Sequence, residues 1–184
     1  SGHPGGSLSC ADILTALYHP EHGAVRYDPK NPKWEERDRF VLSAGHKAPA
    51  LYAVLSKVGY FPRETLFTLR QLGSILQGHA SLVTPGVETA SGSLGQGLSQ
   101  AVGKAAAAKI RHEGWRVYCL LGDGETNEGQ IWEAARDACN DKLNGLCAII
   151  DHNGLQVDGE FRGYPIREKW ESHNWNVIGK ETPL

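Results

Sequence analysis

The sequence predicts an α/β fold built on a parallel sheet, and three features carry that prediction. Residues 116–121 and 146–150 form two short, largely apolar runs of strand length. Between them, residues 130–140 have helical character, so strand, helix and strand fit within about 35 residues. Turn-forming Gly122-Asp123-Gly124 and Asp151-His152-Asn153-Gly154 interrupt the pattern just after each run. A unit of this kind places its strands as parallel neighbours joined by a right-handed crossover.

The remaining elements follow in order. Ser7 is positioned to cap a helix whose apolar residues Leu8, Ala11, Ile13, Leu14 and Leu17 recur at helical spacing, ended by Pro20 and Gly23. Residues 24–38 are polar, contain Pro29 and Pro32, and read as a surface connection. Phe40-Val41-Leu42 is a short apolar run that leads into Ser43-Ala44-Gly45-His46. A helix fits residues 48–58 with Gly59 at its end, and Pro62 suits the first position of a third. Residues 73–97, rich in Gly, Ser, Thr and Pro, form a long loop of the kind that compact domains use for function. From Gln96 to about His112 runs an Ala-rich helix, small enough on one face to pack closely on a sheet.

Composition narrows the function. The chain has 184 residues and 20.0 kDa, so residues 1–184 read as a single domain with a real core. Lys plus Arg number 19 and Asp plus Glu 21, a net charge of −2. That balance points away from nucleic acid and anionic membranes and toward a small-molecule site. Cys10, Cys119, Cys139 and Cys147 lack close pairing and read as reduced core residues of a cytoplasmic protein. No apolar run approaches the roughly 18 residues of a membrane span. The first residues lack signal-peptide character and Met is absent throughout, so the chain reads as truncated at its start.

The chemistry concentrates at the strand ends, where open α/β sheets bind ligands. Asp123 follows one strand and Asn153, 30 positions later, follows the next. Adjacent parallel strands lie about 4.8 Å apart, so the two side-chain oxygens can converge on one ion. A carboxylate with an amide oxygen is a hard donor set suited to Mg²⁺, with Ca²⁺ able to substitute. Gly122 and Gly124 let the backbone approach a phosphate, and the following helix adds its positive end. Taken alone, Gly-Asp-Gly is also a common turn with Asp123 as a helix cap; Asn153 at the neighbouring strand end favours the ion.

These residues resemble the thiamine diphosphate motif, and their surroundings resemble transketolase. The similarity lies in residues 2–6 (Gly-His-Pro-Gly-Gly), 38–46 (Asp-Arg-Phe-Val-Leu-Ser-Ala-Gly-His), Gly78-His79, 92–97 (Gly-Ser-Leu-Gly-Gln-Gly) and 122–129 (Gly-Asp-Gly-Glu-Thr-Asn-Glu-Gly). It runs from the first residue to about Val177 and is closest to the N-terminal, diphosphate-binding half of the enzyme, which some organisms encode as a separate subunit. The resemblance implies a three-layer parallel sheet with helices on both faces. It implies thiamine diphosphate and Mg²⁺ as cofactors, and transfer of a two-carbon ketol unit between sugar phosphates in the pentose phosphate pathway. Asp123, Asn153 and the Leu155 carbonyl would hold the metal. His46, Ser93, Leu94, Gly122, Asp123, Gly124, Glu125, Asn153 and Val157 would bind the cofactor. His3 and His79 would line the substrate channel, and Glu128 would lie at a subunit interface. The family's pyrimidine-binding domain, which completes the site in a homodimer or heterotetramer, has no counterpart in this sequence and is expected from a partner. Residues 179–184 also do not supply the family's next segment, so the chain reads as truncated at both ends. Another thiamine diphosphate enzyme, such as a deoxyxylulose phosphate synthase, or an inactive partner-binding module are the alternatives.

Gly precedes His3, His46 and His79 in a chain of only 8 histidines, and such small neighbours let an imidazole stand close to a ligand. His152 is expected to point away from the ion, and His19, His22, His112 and His173 to face solvent.

Overall fold

In a computed structural model, which describes residues 4–156, 159–163 and 165–179, strand β2 (Val117–Gly122) lies at the centre of three parallel strands. It is flanked by β1 (Arg39–Leu42) and β3 (Leu146–Asp151), with Leu42 level with Leu120 and Gly122 level with Asp151. All six residues of β2 are buried. Because side chains alternate across a sheet, β2 feeds two cores. Val117, Cys119 and Leu121 pack with Val41 against α4 (Gln96–Ile110), α5 (Gly129–Asn140) and α6 (Ile166–Ser172). Tyr118 and Leu120 pack with Phe40 and Leu42 against α2 (Ala11–Tyr18) and α3 (Ala48–Lys57). Helices therefore cover both faces, as expected.

Helix α4 buries Gly97, Leu98, Ala101, Ala105 and Ala108, the small-residue face anticipated from its composition. Asp38, in a segment read as a polar connection, is buried and accepts bonds from the Arg26 and Arg116 backbone N–H groups, fastening β1 beside the start of β2. The long loop does exist, and Glu88 within it is held by both Arg37 Nε (2.6 Å) and Arg37 Nη2 (2.8 Å).

Several expectations are corrected. The first helix is two, α1 (Pro4–Ser9) and α2, so Ser7 lies inside α1 rather than capping. Pro62 precedes a 3₁₀ turn, Arg63–Thr68, rather than opening an α-helix. Gly124–Asn127 is also a 3₁₀ turn, and α5 starts only at Gly129; the helix does not begin directly at the Gly-Asp-Gly turn. Strand β3 is not fully buried: among the described residues it pairs on one side only, which leaves Cys147 exposed and residues 148–150 half-buried. Cys139 is half-buried, so only Cys10 and Cys119 are core thiols. His173 is half-buried against Trp132, with ring centroids 5.2 Å apart.

Candidate active site

Asp123 stands at the tip of β2, where the Asp151 carbonyl accepts its N–H and the carboxylate is 2% exposed. Its Oδ1 accepts the Gly124 N–H at 2.8 Å, and its Oδ2 reaches across to accept the Gly154 N–H at 2.7 Å. The second bond lands on the peptide immediately after Asn153. The Asn153 Oδ1 in turn accepts the Leu155 N–H at 2.9 Å, a turn that fixes its amide beside the same backbone. The Leu155 carbonyl closes the group, 3.8 Å from where a Cβ on Gly124 would stand. Oxygen donors from both strand ends thus gather round the Gly124 turn.

The electrostatics of this cluster are one-sided. Among the described residues no Lys, Arg or His forms an ion pair with Asp123. A desolvated carboxylate without a cation is costly. Each carboxylate oxygen has lone pairs left after its backbone bond, as does the Asn153 amide oxygen. Carboxylate, amide and carbonyl oxygens match the needs of a hard divalent cation, whereas among the described residues no cluster of three His, Cys, Asp or Glu side chains offers a softer site.

Above this group, the His46 ring lies between α1 and β2. A Cβ on Gly6 would be 3.3 Å from His46 Cδ2, and one on Gly122 would be 3.9 Å from His46 Cε1. His79 is exposed and comes to the same place: a Cβ on Gly45 would lie 3.1 Å from His79 Cδ2 and 3.0 Å from Ser91 Oγ. The Tyr52 hydroxyl, bonded to the Gln77 and His79 carbonyls at 3.0 and 3.1 Å, ties that segment to α3. The Ser91 hydroxyl is buried with no hydrogen-bond partner among the described residues, a polar atom left facing this crowded junction. Ser93 is exposed and Leu94 half-buried, just before the turn at Gly95. Glu128 is exposed beside Gly95, whose φ of +84° and closeness to Glu128 Cβ (3.0 Å from a built Cβ) call for glycine. His152 is exposed and meets Phe161 edge-on. His3 and Val157 lie outside the described residues.

Glu125 occupies a different environment from its neighbours. At 2% exposure its carboxylate accepts the Ser43 hydroxyl, the Gly95 N–H at 2.8 Å and the Gly122 N–H at 3.1 Å. It thereby ties together the turn after β1, the start of α4 and the end of β2. Burial pushes its carboxyl above the ordinary value of 4.5, against the opposing pull of those donors. A carboxyl raised on folding adds stability that is full below its unfolded value and is lost as the pH rises through its folded value. The stability of the native chain relative to Glu125→Gln is therefore expected to decline from pH 4 to pH 7, read from urea midpoints at each pH. A difference that does not vary with pH contradicts this account.

Sequence reasoning did not find the Glu125 junction or a buried Lys47–Asp151 ion pair. The one available signal for the latter was a lysine placed between Gly45-His46 and an apolar helix.

The sequence matches the family model described as transketolase, thiamine diphosphate binding domain, over residues 1–183. The chain belongs to this transketolase family. It is 46% identical over 181 residues to the 6-deoxy-6-sulfo-D-fructose transketolase subunit of a Clostridium species, covering 96% of the chain and 65% of that subunit. It is 44% identical to an apulose-4-phosphate transketolase subunit of Phocaeicola vulgatus, covering 97% of the chain and 64% of that protein. Transketolase of Campylobacter jejuni superposes with a TM-score of 0.88 at 38% identity, over 94% of this chain and 28% of that one. For the Leishmania mexicana enzyme the TM-score is 0.89 at 34% identity, over 97% and 28%. The chain thus spans somewhat less than two thirds of those subunits and under a third of these full-length transketolases. Among the described residues no helix is long and apolar enough to cross a membrane.

Proposed function

We propose that this transketolase domain holds the diphosphate and Mg²⁺ end of thiamine diphosphate. The proposed reaction moves a two-carbon ketol unit from a ketose phosphate to an aldose phosphate. The observation that carries this reading is Asp123: a buried carboxylate, unpaired with any basic side chain among the described residues, whose bond to Gly154 brings it to Asn153 and Leu155. In this reading Asp123, Asn153 and the Leu155 carbonyl bind the cation, and the Gly124 N–H, the Gly122 backbone and His46 meet the diphosphate. Leu94 and Val157 pack against the cofactor rings, with Ser93 beside them. His3 and His79 orient the sugar hydroxyls and move protons there, and Glu128 joins an interface between paired sites. Glu125, expected at the cofactor, acts through Gly122 by holding its N–H. When bound, thiamine diphosphate supplies the carbon nucleophile and the electron sink for breaking and making the carbon–carbon bond.

A pyrimidine-binding domain or subunit completes the site, in a cytoplasmic homodimer or heterotetramer. The two subunit relatives, each named as one part of a transketolase, support that division. The test is a ketose phosphate assay of the chain alone and mixed with such a partner, beside calorimetry with thiamine diphosphate with and without Mg²⁺. Turnover only in the mixture, with metal-dependent binding, is expected; robust turnover by the chain alone overturns the split, and metal-independent binding overturns the cation site.

A further inference from the structure

Lys47 is 1% exposed, yet its ammonium is fully occupied. It donates to Asp151 Oδ2 at 2.5 Å, to the Gly6 carbonyl at 3.2 Å and to Ser9 Oγ at 3.2 Å. The Ser9 hydroxyl donates in turn to Asp151 Oδ2 at 2.6 Å. The three acceptors come from two elements, α1 and the end of β3, separated by more than 140 residues in the chain. Lys47 itself sits directly after His46 in the 3₁₀ turn Gly45–Lys47, and its Cε lies 4.0 Å from where a Cβ on Gly122 would stand.

Helix α1 has little else to hold it. It spans six residues and none of them is buried; its one large apolar residue, Leu8, is 74% exposed. A helix this short is not stable alone, and no apolar face docks it. Yet α1 places Gly6 against the His46 ring, near Cδ2, while Gly122 stands near Cε1 of the same ring. The ring thus meets both a strand end and a helix that, short of the buried Cys10 that follows it, is held largely by polar bonds.

We propose that Lys47 is a positioning residue: its buried ammonium, with Ser9 and Asp151, latches α1 to the end of β3 and so holds the His46 imidazole against the Gly122–Gly124 turn. The latch makes no contact with ligand and acts through His46. Its consequence for binding rests on the diphosphate reading given above, whereas its effect on α1 and His46 does not.

The test uses the chain with its pyrimidine-binding partner for ligand affinity and the ligand-free chain for structure. Ser9→Ala removes one link and leaves the Lys47–Asp151 pair intact, so the fold survives; Lys47→Met removes the centre of the latch. In ligand-free Ser9→Ala, amide exchange of α1 is expected to accelerate about 10-fold with β2 unchanged, and the His46 ring resonances to shift. Lys47→Met should move both further. The Kd for thiamine diphosphate with Mg²⁺ should weaken about 5- to 10-fold in Ser9→Ala, the scale of one lost hydrogen bond, while the unfolding midpoint hardly changes. Unaltered α1 exchange and His46 signals in both variants overturn the latch. A change in α1 exchange with an unaltered Kd overturns its role in positioning His46. If the unmodified assembly itself shows no metal-dependent binding, the diphosphate reading fails, and the exchange and resonance measurements still decide the latch.

Discussion

Asp123→Asn is expected to weaken Mg²⁺-dependent thiamine diphosphate binding by at least about 100-fold, equivalent to ~2.7 kcal/mol. The variant keeps the size of the side chain but removes the buried negative charge on which the proposed cation site rests. It also turns one end of the side chain into a donor. At present Gly124 and Gly154 each give an N–H to a separate carboxylate oxygen, so one of them would face an NH₂ group instead. Where the amide nitrogen replaces Oδ2, the arm carrying Asn153 and Leu155 would lose its bond to residue 123. Calorimetric titration of the variant beside the unmodified chain checks this. Equal metal-dependent affinity would remove the basis for the proposed function.

The second large effect concerns packing. Gly97→Ala should destabilise the domain by about 1–3 kcal/mol, because a Cβ there would fall 2.5 Å from the Ser43 Cα. The obstacle is backbone, not the far end of a flexible side chain, so α4 or the turn after β1 must shift. Ser43 is also the residue whose hydroxyl secures Glu125, so the displacement reaches the Gly95 and Gly122 bonds. In a protein of this length the loss corresponds to a fall in Tm of roughly 2–12 °C. Gly103→Ala, in the same helix with open space round the added carbon, provides the contrast: a gain of about 0.5–1 kcal/mol is expected. Thermal unfolding of the pair separates tight packing from helix propensity, and equal shifts would contradict the account.

The parallel sheet was legible because its strands are short apolar runs closed by glycine and polar turns, and β2 and α5 lie where those runs place them. Strand β3 was misjudged for a physical reason. Leu-Cys-Ala-Ile-Ile reads as apolar whether the strand has neighbours on both sides or on one, and only the pairing distinguishes them. At the candidate site, Asp123 and Asn153 could be picked out because each follows a predicted strand end. Glu125 could not be separated from its neighbours by spacing: it turns inward to Ser43, Gly95 and Gly122, from three separate parts of the chain. The split between α1 and α2 at Cys10 was hidden as well, because apolar spacing continues across it. What sets α1 apart is a polar clamp, which hydrophobic periodicity does not register.

Strand β2 is walled by one core on each side, and none of its six residues opens to water. Asp123 is rooted at its tip, and the Gly124 and Gly154 N–H groups fasten its carboxylate there. A cation held there, as proposed, would be linked to the folding equilibrium of the whole body. A ligand at 100 times its Kd deepens the native well by about 2.7 kcal/mol. By the same linkage, such a ligand would offset a cavity of similar cost cut into either layer, although none of those apolar side chains need touch it.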